Sequence, residues 1–148
     1  MSQSLAKILV HVIFSTKNRV PMIGPEVRTA LHAYLAGTLE NLLCPSLRTG
    51  GTSDHVHSLL SLSRTRSIAE VVAEMKMSSS KWMKQQGVRG FAWQAGYGAF
   101  SVSESQATTV IRYVGRQEEH HRVMSFQEEF RRLLDRCRVP YDERYVWN

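Results

Sequence analysis

The order in which strand and helix periodicities alternate constrains the fold of this chain more than any other feature. Leu5–Ser15 (LAKILVHVIFS) is rich in β-branched and apolar residues and reads as a strand. Gly24-Pro25 opens a helix, because Val27, Leu31, Tyr34, Leu35, Thr38 and Leu42 recur at helical spacing. Pro25 falls in the first turn, where its missing N–H is no loss, and Pro45 ends the helix. Ser46–Gly50 and His55–Leu62 (HVHSLLSL) read as paired strands around the Gly50-Gly51 turn signal. Ser67 with Glu70 is a capping box that starts a helix to about Gln86, and Tyr97–Ser103 is a final strand. Two further boxes, Ser103 with Gln106 and Ser125 with Glu128, open helices to about Glu119 and about Arg138. The order β-α-β-β-α-β and then two helices predicts an α+β fold. It is a ferredoxin-like (split βαβ) antiparallel sheet with helices on one face plus two C-terminal helices. Such sheets host many activities, so function must be read from particular side chains.

The 148 residues suit one domain, 1–148. We divide it into a sheet, histidine and basic-helix part (1–103), a pair of helices (104–138) and an aromatic tail (139–148). Residues 104–148 carry as many acidic as basic side chains, so the whole net charge of +6 lies in 1–103. That asymmetry is what a polyanion partner on one part of the molecule requires, nucleic acid first among them, although a soluble basic surface has the same charge. No apolar run approaches the roughly 18 residues of a membrane span. Met1–Lys7 lacks the pattern of a secretory leader. Cys44 and Cys137 have neither disulfide-framework nor metal-knuckle spacing. A cytoplasmic protein with reduced thiols and no membrane contact is expected.

Asp54-His55-Val56-His57 lies on a predicted strand, where residues two apart face the same way. Two imidazoles aimed at one point can ligate a divalent metal, whereas the same spacing on an open strand is simply polar surface. A third ligand must come from elsewhere. Tyr113 and Gln117 share a helix face at i and i+4. A tyrosine hydroxyl can act as a covalent nucleophile and an amide oxygen can ligate a hard metal. The competing reading makes Tyr113 a packing residue at the core edge. Basic residues that could meet phosphates are Lys17, Arg19, Arg64, Arg66, Lys76, Lys81, Lys84, Arg112 and Arg116, with Trp82 and Trp93 as aromatic neighbours. His11, His32, His120 and His121 read as packing, surface or helix-end residues.

Seven blocks in order resemble the insertion-sequence-200-like single-tyrosine HUH (His-hydrophobic-His) transposases. They are HVIFSTKNR (11–19), DHVH (54–57), SLSRTRSIAEVV (61–72), SSKW (79–82), WQAGYGAFSVS (93–103), YVGRQEEHH (113–121) and YDERYVW (141–147). The resemblance implies that His55, His57 and Gln117 hold Mg²⁺ or Mn²⁺ and that Tyr113 is the nucleophile. It implies single-stranded DNA with hairpin ends as substrate, cut through a 5′-phosphotyrosine link that leaves a free 3′-OH, and a second attack that joins new ends. It also implies a homodimer in which the tyrosine helix of one subunit completes the other's histidine site. No nucleotide cofactor is expected, since the covalent link stores the bond energy and no G-x-x-x-x-G-K-[ST] loop is present. Gly115 departs from the family pattern, where a larger residue is expected, and costs about 1 kcal/mol inside a helix. The alternatives are a non-catalytic hairpin nucleic-acid-binding module, and a related HUH nickase of replication or repeat elements.

Overall fold

The computed structural model describes residues 2–148. Four strands form one antiparallel sheet in the order β2-β3-β1-β4. They are β1 (Leu9–Ser15), β2 (Ser46–Gly51), β3 (His55–Ser61) and β4 (Gly98–Val102). Two helices, α1 (Pro25–Asn41) and α2 (Ile68–Gln85), provide the crossovers, which is the split βαβ topology. Three C-terminal helices follow: α3 (Ala107–Gly115), α4 (Gln117–His120) and α5 (Phe126–Arg136). Among the described residues no helix is long and apolar enough to cross a membrane.

Alternation along the strands sorts the core into two layers. Val10, Val12 and Phe14 of β1, with Val56 and Leu60 of β3, pack against Leu31, Leu35 and Leu39 of α1 and Val71, Val72 and Met75 of α2. The opposite face is covered by the C-terminal helices. Ile13 and Phe100 meet Phe126, Phe130 and Leu134 of α5, while Leu9 and Leu59 meet Ala107 of α3. Every residue of β1 is therefore buried, as a central strand covered on both faces must be.

Ser67 and Glu70 form the expected reciprocal cap on α2. Ser125 caps α5 by accepting from the Glu128 amide. Four expectations are corrected. Gly50-Gly51 is not the turn, because both glycines pair within β2, opposite His57 and Val56, and the chain reverses only at 52–54. The first strand starts at Leu9 rather than Leu5, because both neighbouring strands have their last paired residues opposite Leu9. Ser103 heads a short 3-10 turn, Glu104–Gln106, without a side-chain cap. The helix expected to run to Glu119 breaks at Arg116 (φ −110°, ψ 24°), so the tyrosine and the glutamine sit on α3 and α4 respectively. Gly115, the last residue of α3, lies against the exposed Arg48 side chain of β2, whose guanidinium would shift slightly to admit a Cβ.

Gly98 lets α5 approach the sheet, since any side chain at that position would enter the space of the Phe130 ring. Phe130 is buried among Ile13, Phe100 and Phe126. Phe130→Ala should lower unfolding stability by about 3–5 kcal/mol, the usual cost of emptying a buried aromatic site. Denaturant titration checks this, and a loss below ~1 kcal/mol would mean α5 is not part of the core.

Candidate active site

The outer face of β3 presents His55 and His57, both fully buried, and the C-terminal helices close over them. Val56 between them points into the α1/α2 layer. Each imidazole is fixed from behind. His55 Nδ1 lies 2.7 Å from Asp54 Oδ1 and 3.0 Å from Thr52 Oγ1. His57 Nδ1 lies 2.8 Å from His11 Nε2 on β1. With Nδ1 of each ring so engaged, the Nε2 atoms face the interior of the site, the arrangement by which outer partners orient metal-binding histidines.

Four side chains converge in front of those nitrogens. Gln117 Oε1 of α4 is 3.0 Å from His55 Nε2 and 3.2 Å from His121 Nε2. Glu129 of α5, also buried, places Oε1 3.0 Å from His57 Nε2, 3.2 Å from His121 Nε2 and 3.7 Å from His55 Nε2. Its other oxygen, Oε2, accepts a short hydrogen bond from the Tyr113 hydroxyl. The Tyr113 ring stands 5.8 Å from the His57 ring and lies tilted against the His120 ring at 4.7 Å. Tyr113 thus meets the histidines of its own chain. The kink between α3 and α4 does not separate it from Gln117, whose Nε2 donates to the Tyr113 carbonyl at 3.3 Å.

Burial and charge set the protonation states. Burial lowers His57 to about 4 against partial compensation from Glu129, and burial with the neighbouring His57 lowers His11 to about 3. Both are neutral imidazoles at pH 7. Burial opposes ionisation of Glu129, but hydrogen bonds from His121, His57 and Tyr113 outweigh it and hold the carboxylate far below its ordinary range. Burial, the Glu129 charge and the bond to Glu129 push the Tyr113 phenol up, beyond its ordinary range. A phenol in this state needs help to lose its proton.

A cavity of about 180 Å³ opens on Tyr113 and Glu129 and is lined by Arg132 and Arg136 of α5. A second, of about 300 Å³, lies on the other side of Gln117 between α1, β2 and α4, and is lined by Arg28, Arg48, Arg116 and Arg122. Of these residues only Arg116 stood among the expected phosphate contacts. Arg112 is exposed next to Tyr113. Lys17 and Arg19 sit in the turn after β1, with Arg19 over the Trp147 ring. Arg64 and Arg66 are exposed before α2, and Lys81 and Lys84 are exposed along it. The α2 helix packs on the sheet face opposite the histidines, so its lysines are remote from them. Lys76 is bound internally, its ammonium donating to the carbonyls of Gln94, Ala95 and Gly96. Trp93 is buried and donates to Ser79, and Trp82 stacks on Tyr34, so neither ring is a free platform for bases.

Four residues at this centre were not singled out for it by the sequence: His11, His121, Glu129 and, behind His55, Asp54. Glu129 had a signal. It lies on the same stripe of α5 as Phe126, Phe130 and Leu134, where a carboxylate has no place in a plain core.

An antiparallel split βαβ sheet with a His-hydrophobic-His pair on a central strand, faced by a helix-borne tyrosine, defines the single-tyrosine HUH class of DNA-processing proteins. A profile of the IS200-like transposases matches residues 4–117, and the chain belongs to that family. Among curated proteins none matches it. A crystal structure from Deinococcus radiodurans R1, of a protein assigned by inference as a transposase, is similar. Its TM-score is 0.61 at 24% identity, over 79% of this chain and 98% of that one. A REP-associated tyrosine transposase bound to a REP hairpin is similar at a TM-score of 0.57 and 12% identity. That match covers 82% of this chain and 74% of the other. Both likenesses concern the fold. The chain is thus a DNA-processing enzyme by family, and α5 lies beyond the residues that the family profile matches.

Proposed function

We propose that the protein cuts and rejoins single-stranded DNA with hairpin ends, using Tyr113 as nucleophile and one divalent ion held by His55, His57 and Gln117. The observation that carries this is the convergence, in one chain, of the Tyr113 hydroxyl with the inward-facing Nε2 atoms of His55 and His57. The donor set fits such an ion: two imidazole nitrogens and an amide oxygen, the rings oriented by Asp54 and His11, suit Mn²⁺ or Mg²⁺. When bound, the ion polarises a phosphate oxygen as a Lewis acid.

The protein's own residues do the rest. The phenolic oxygen of Tyr113 forms a bond to phosphorus and the P–O3′ bond breaks. The proton lost by the phenol is matched by the one gained by the departing 3′-oxygen, so the step needs neither redox cofactor nor ATP. Arg132 and Arg136 flank the opening over Tyr113 and would hold the phosphate there. Arg112 and the arginines around Gln117, Arg116 among them, would hold the strand on either side. Lys17, Arg19, Arg64, Arg66, Lys81 and Lys84 would meet DNA running around the sheet edge. The substrate sets the place of action as the cytoplasm. The direct test is incubation with single-stranded hairpin DNA and Mn²⁺ or Mg²⁺. A protein–DNA adduct that survives denaturing electrophoresis is expected. A shift on native gels with no adduct under any divalent ion would instead establish a binding module.

One chain carries one nucleophile and can hold one 5′ end, so joining two ends calls for a homodimer. Each chain contributes its own Tyr113 to its own histidines in this reading. Mixing Tyr113→Phe with His57→Ala protein should therefore leave cleavage absent, with both variants still shifting the hairpin on a native gel. Activity recovered in the mixture would show that the tyrosine works across the dimer.

A further inference from the structure

The Glu129 side chain joins the two halves of this site, and nothing in the family match covers it, since the matched stretch ends at Gln117. One oxygen, Oε1, lies between the Nε2 atoms of His57, His121 and His55, at 3.0, 3.2 and 3.7 Å. The other, Oε2, takes the hydrogen bond of the Tyr113 hydroxyl. His55, His121 and Glu129 offer ligand atoms all within 4.8 Å of one another. The carboxylate is buried, and the local chain explains how it is held there. Phe126 and Phe130 flank it on the helix and stack on each other with ring centroids 5.6 Å apart, and Phe126 lies 4.6 Å from the His55 ring. A lone buried carboxylate would cost several kcal/mol unless compensated. Here imidazole and phenol groups compensate it, and a divalent ion among the same nitrogens would do so more fully.

We propose that Glu129 is an anionic ligand of the divalent ion and at the same time the anchor of the nucleophile, Oε1 facing the ion and Oε2 holding the Tyr113 hydroxyl. This rests on the reading of His55 and His57 as metal ligands and adds α5 to the site. Three consequences follow from its chemistry. A carboxylate turns a neutral nitrogen-and-amide set into a mixed set that favours hard ions such as Mn²⁺ and Mg²⁺. It lowers the net charge of the loaded centre by one. Through one rigid group, it sets the tyrosine oxygen at a fixed place relative to the ion, before any DNA arrives.

The test uses the full chain and Mn²⁺ alone, with binding followed by electron paramagnetic resonance of the free ion. Glu129→Gln keeps shape and removes charge, Glu129→Asp keeps charge and shortens reach, and His57→Ala reports on the histidine site itself. Glu129→Gln should weaken Mn²⁺ binding by about 10- to 100-fold, the range found when supporting groups of metal sites are removed, or by more. Glu129→Asp should recover part of the loss, and Tyr113→Phe should bind as wild type does. If His57→Ala loses Mn²⁺ while Glu129→Gln keeps or exceeds wild-type affinity, the role of Glu129 falls and the histidine site stands. If wild-type protein does not bind Mn²⁺, both fall. Should the Glu129 variants fail to fold, wild-type protein labelled with ¹³C at glutamate carboxyls serves instead. Electron–nuclear double resonance of bound Mn²⁺ should then show a directly coordinated carboxylate, and its absence overturns the proposal.

Discussion

Tyr113→Phe should leave the protein folded and able to bind hairpin DNA while removing the covalent adduct altogether. The ring keeps its tilted contact with His120 and its place beside His57, because neither contact involves the hydroxyl. What disappears is the oxygen that would attack phosphorus. Loss of a nucleophile that acts as one unit with its partners commonly costs about 10⁴-fold or more, so the adduct should fall below detection. Removal of the hydroxyl also frees Glu129 from one of its bonds, and a modest change in thermal stability is expected from that alone. An adduct of undiminished yield would exclude Tyr113 as the nucleophile, and mapping the modified peptide would then identify the residue in its place.

Acid should weaken the metal-free protein from about pH 6.5 downward, before ordinary carboxylate titration begins. His11 and His57 are held neutral in the folded state, at about 3 and about 4, against 6.5 in an unfolded chain. His32, beside Arg28 and outside the site, is lowered to about 4, chiefly by burial. Below pH 6.5 the unfolded chain therefore binds protons that the folded one refuses. The stabilisation is complete above pH 6.5 and is lost as the pH falls toward 4. For His11 and His57 the slope approaches ~1.4 kcal/mol per pH unit each, against a typical domain stability of about 5–15 kcal/mol. His121 has the opposite sign. Its pKa is raised, so its contribution is present below 6.5 and lost above its folded value, and it does not rescue the acid side. Glu129 adds its own loss only below about pH 4.5, where an unfolded carboxyl takes up a proton that the folded carboxylate refuses. Thermal melts in chelator between pH 7.5 and 4.5 should show a steep fall. A flat profile would mean that these histidines exchange protons with solvent as freely in the fold as out of it. Added Mn²⁺ should move the fall to lower pH, because it binds only the deprotonated rings.

The alternation of periodicities was sufficient for the sheet. The Ser67–Glu70 cap and the two-residue spacing of His55 and His57 each act over a few residues, and both appear in the structure as read; the Gly50-Gly51 pair instead extends β2, and the turn follows it at 52–54. The spacing of Tyr113 and Gln117 survived for a less direct reason: the kink at Arg116 interrupts the helix without turning the two residues apart. What local pattern does not encode is which side of the sheet a helix covers. The lysines of α2 form a basic run in the sequence, yet that helix lies behind the sheet from the histidines. Glu129, Arg132 and Arg136 belong to a stretch of balanced charge and look like ordinary helix-surface residues. Only the packing of Phe130 against Gly98 brings them over Tyr113. The histidines His11 and His121 likewise acquire meaning from contacts 46 and 8 positions away in the chain.

The position of α5 in chain order has a bearing on how a cell makes this enzyme. All four strands are complete by Val102, and the tyrosine helix by Gly115, but the group that closes over the histidines arrives only with Phe126–Arg136. A nascent chain emerging from the ribosome therefore builds the sheet and the helix of Tyr113 before α5. The contacts of Glu129 with His57, His121 and Tyr113 form only once α5 has been translated. A chain stopped before Phe126 would keep His55, His57, Tyr113 and Gln117 but lack the buried Glu129 carboxylate that faces them.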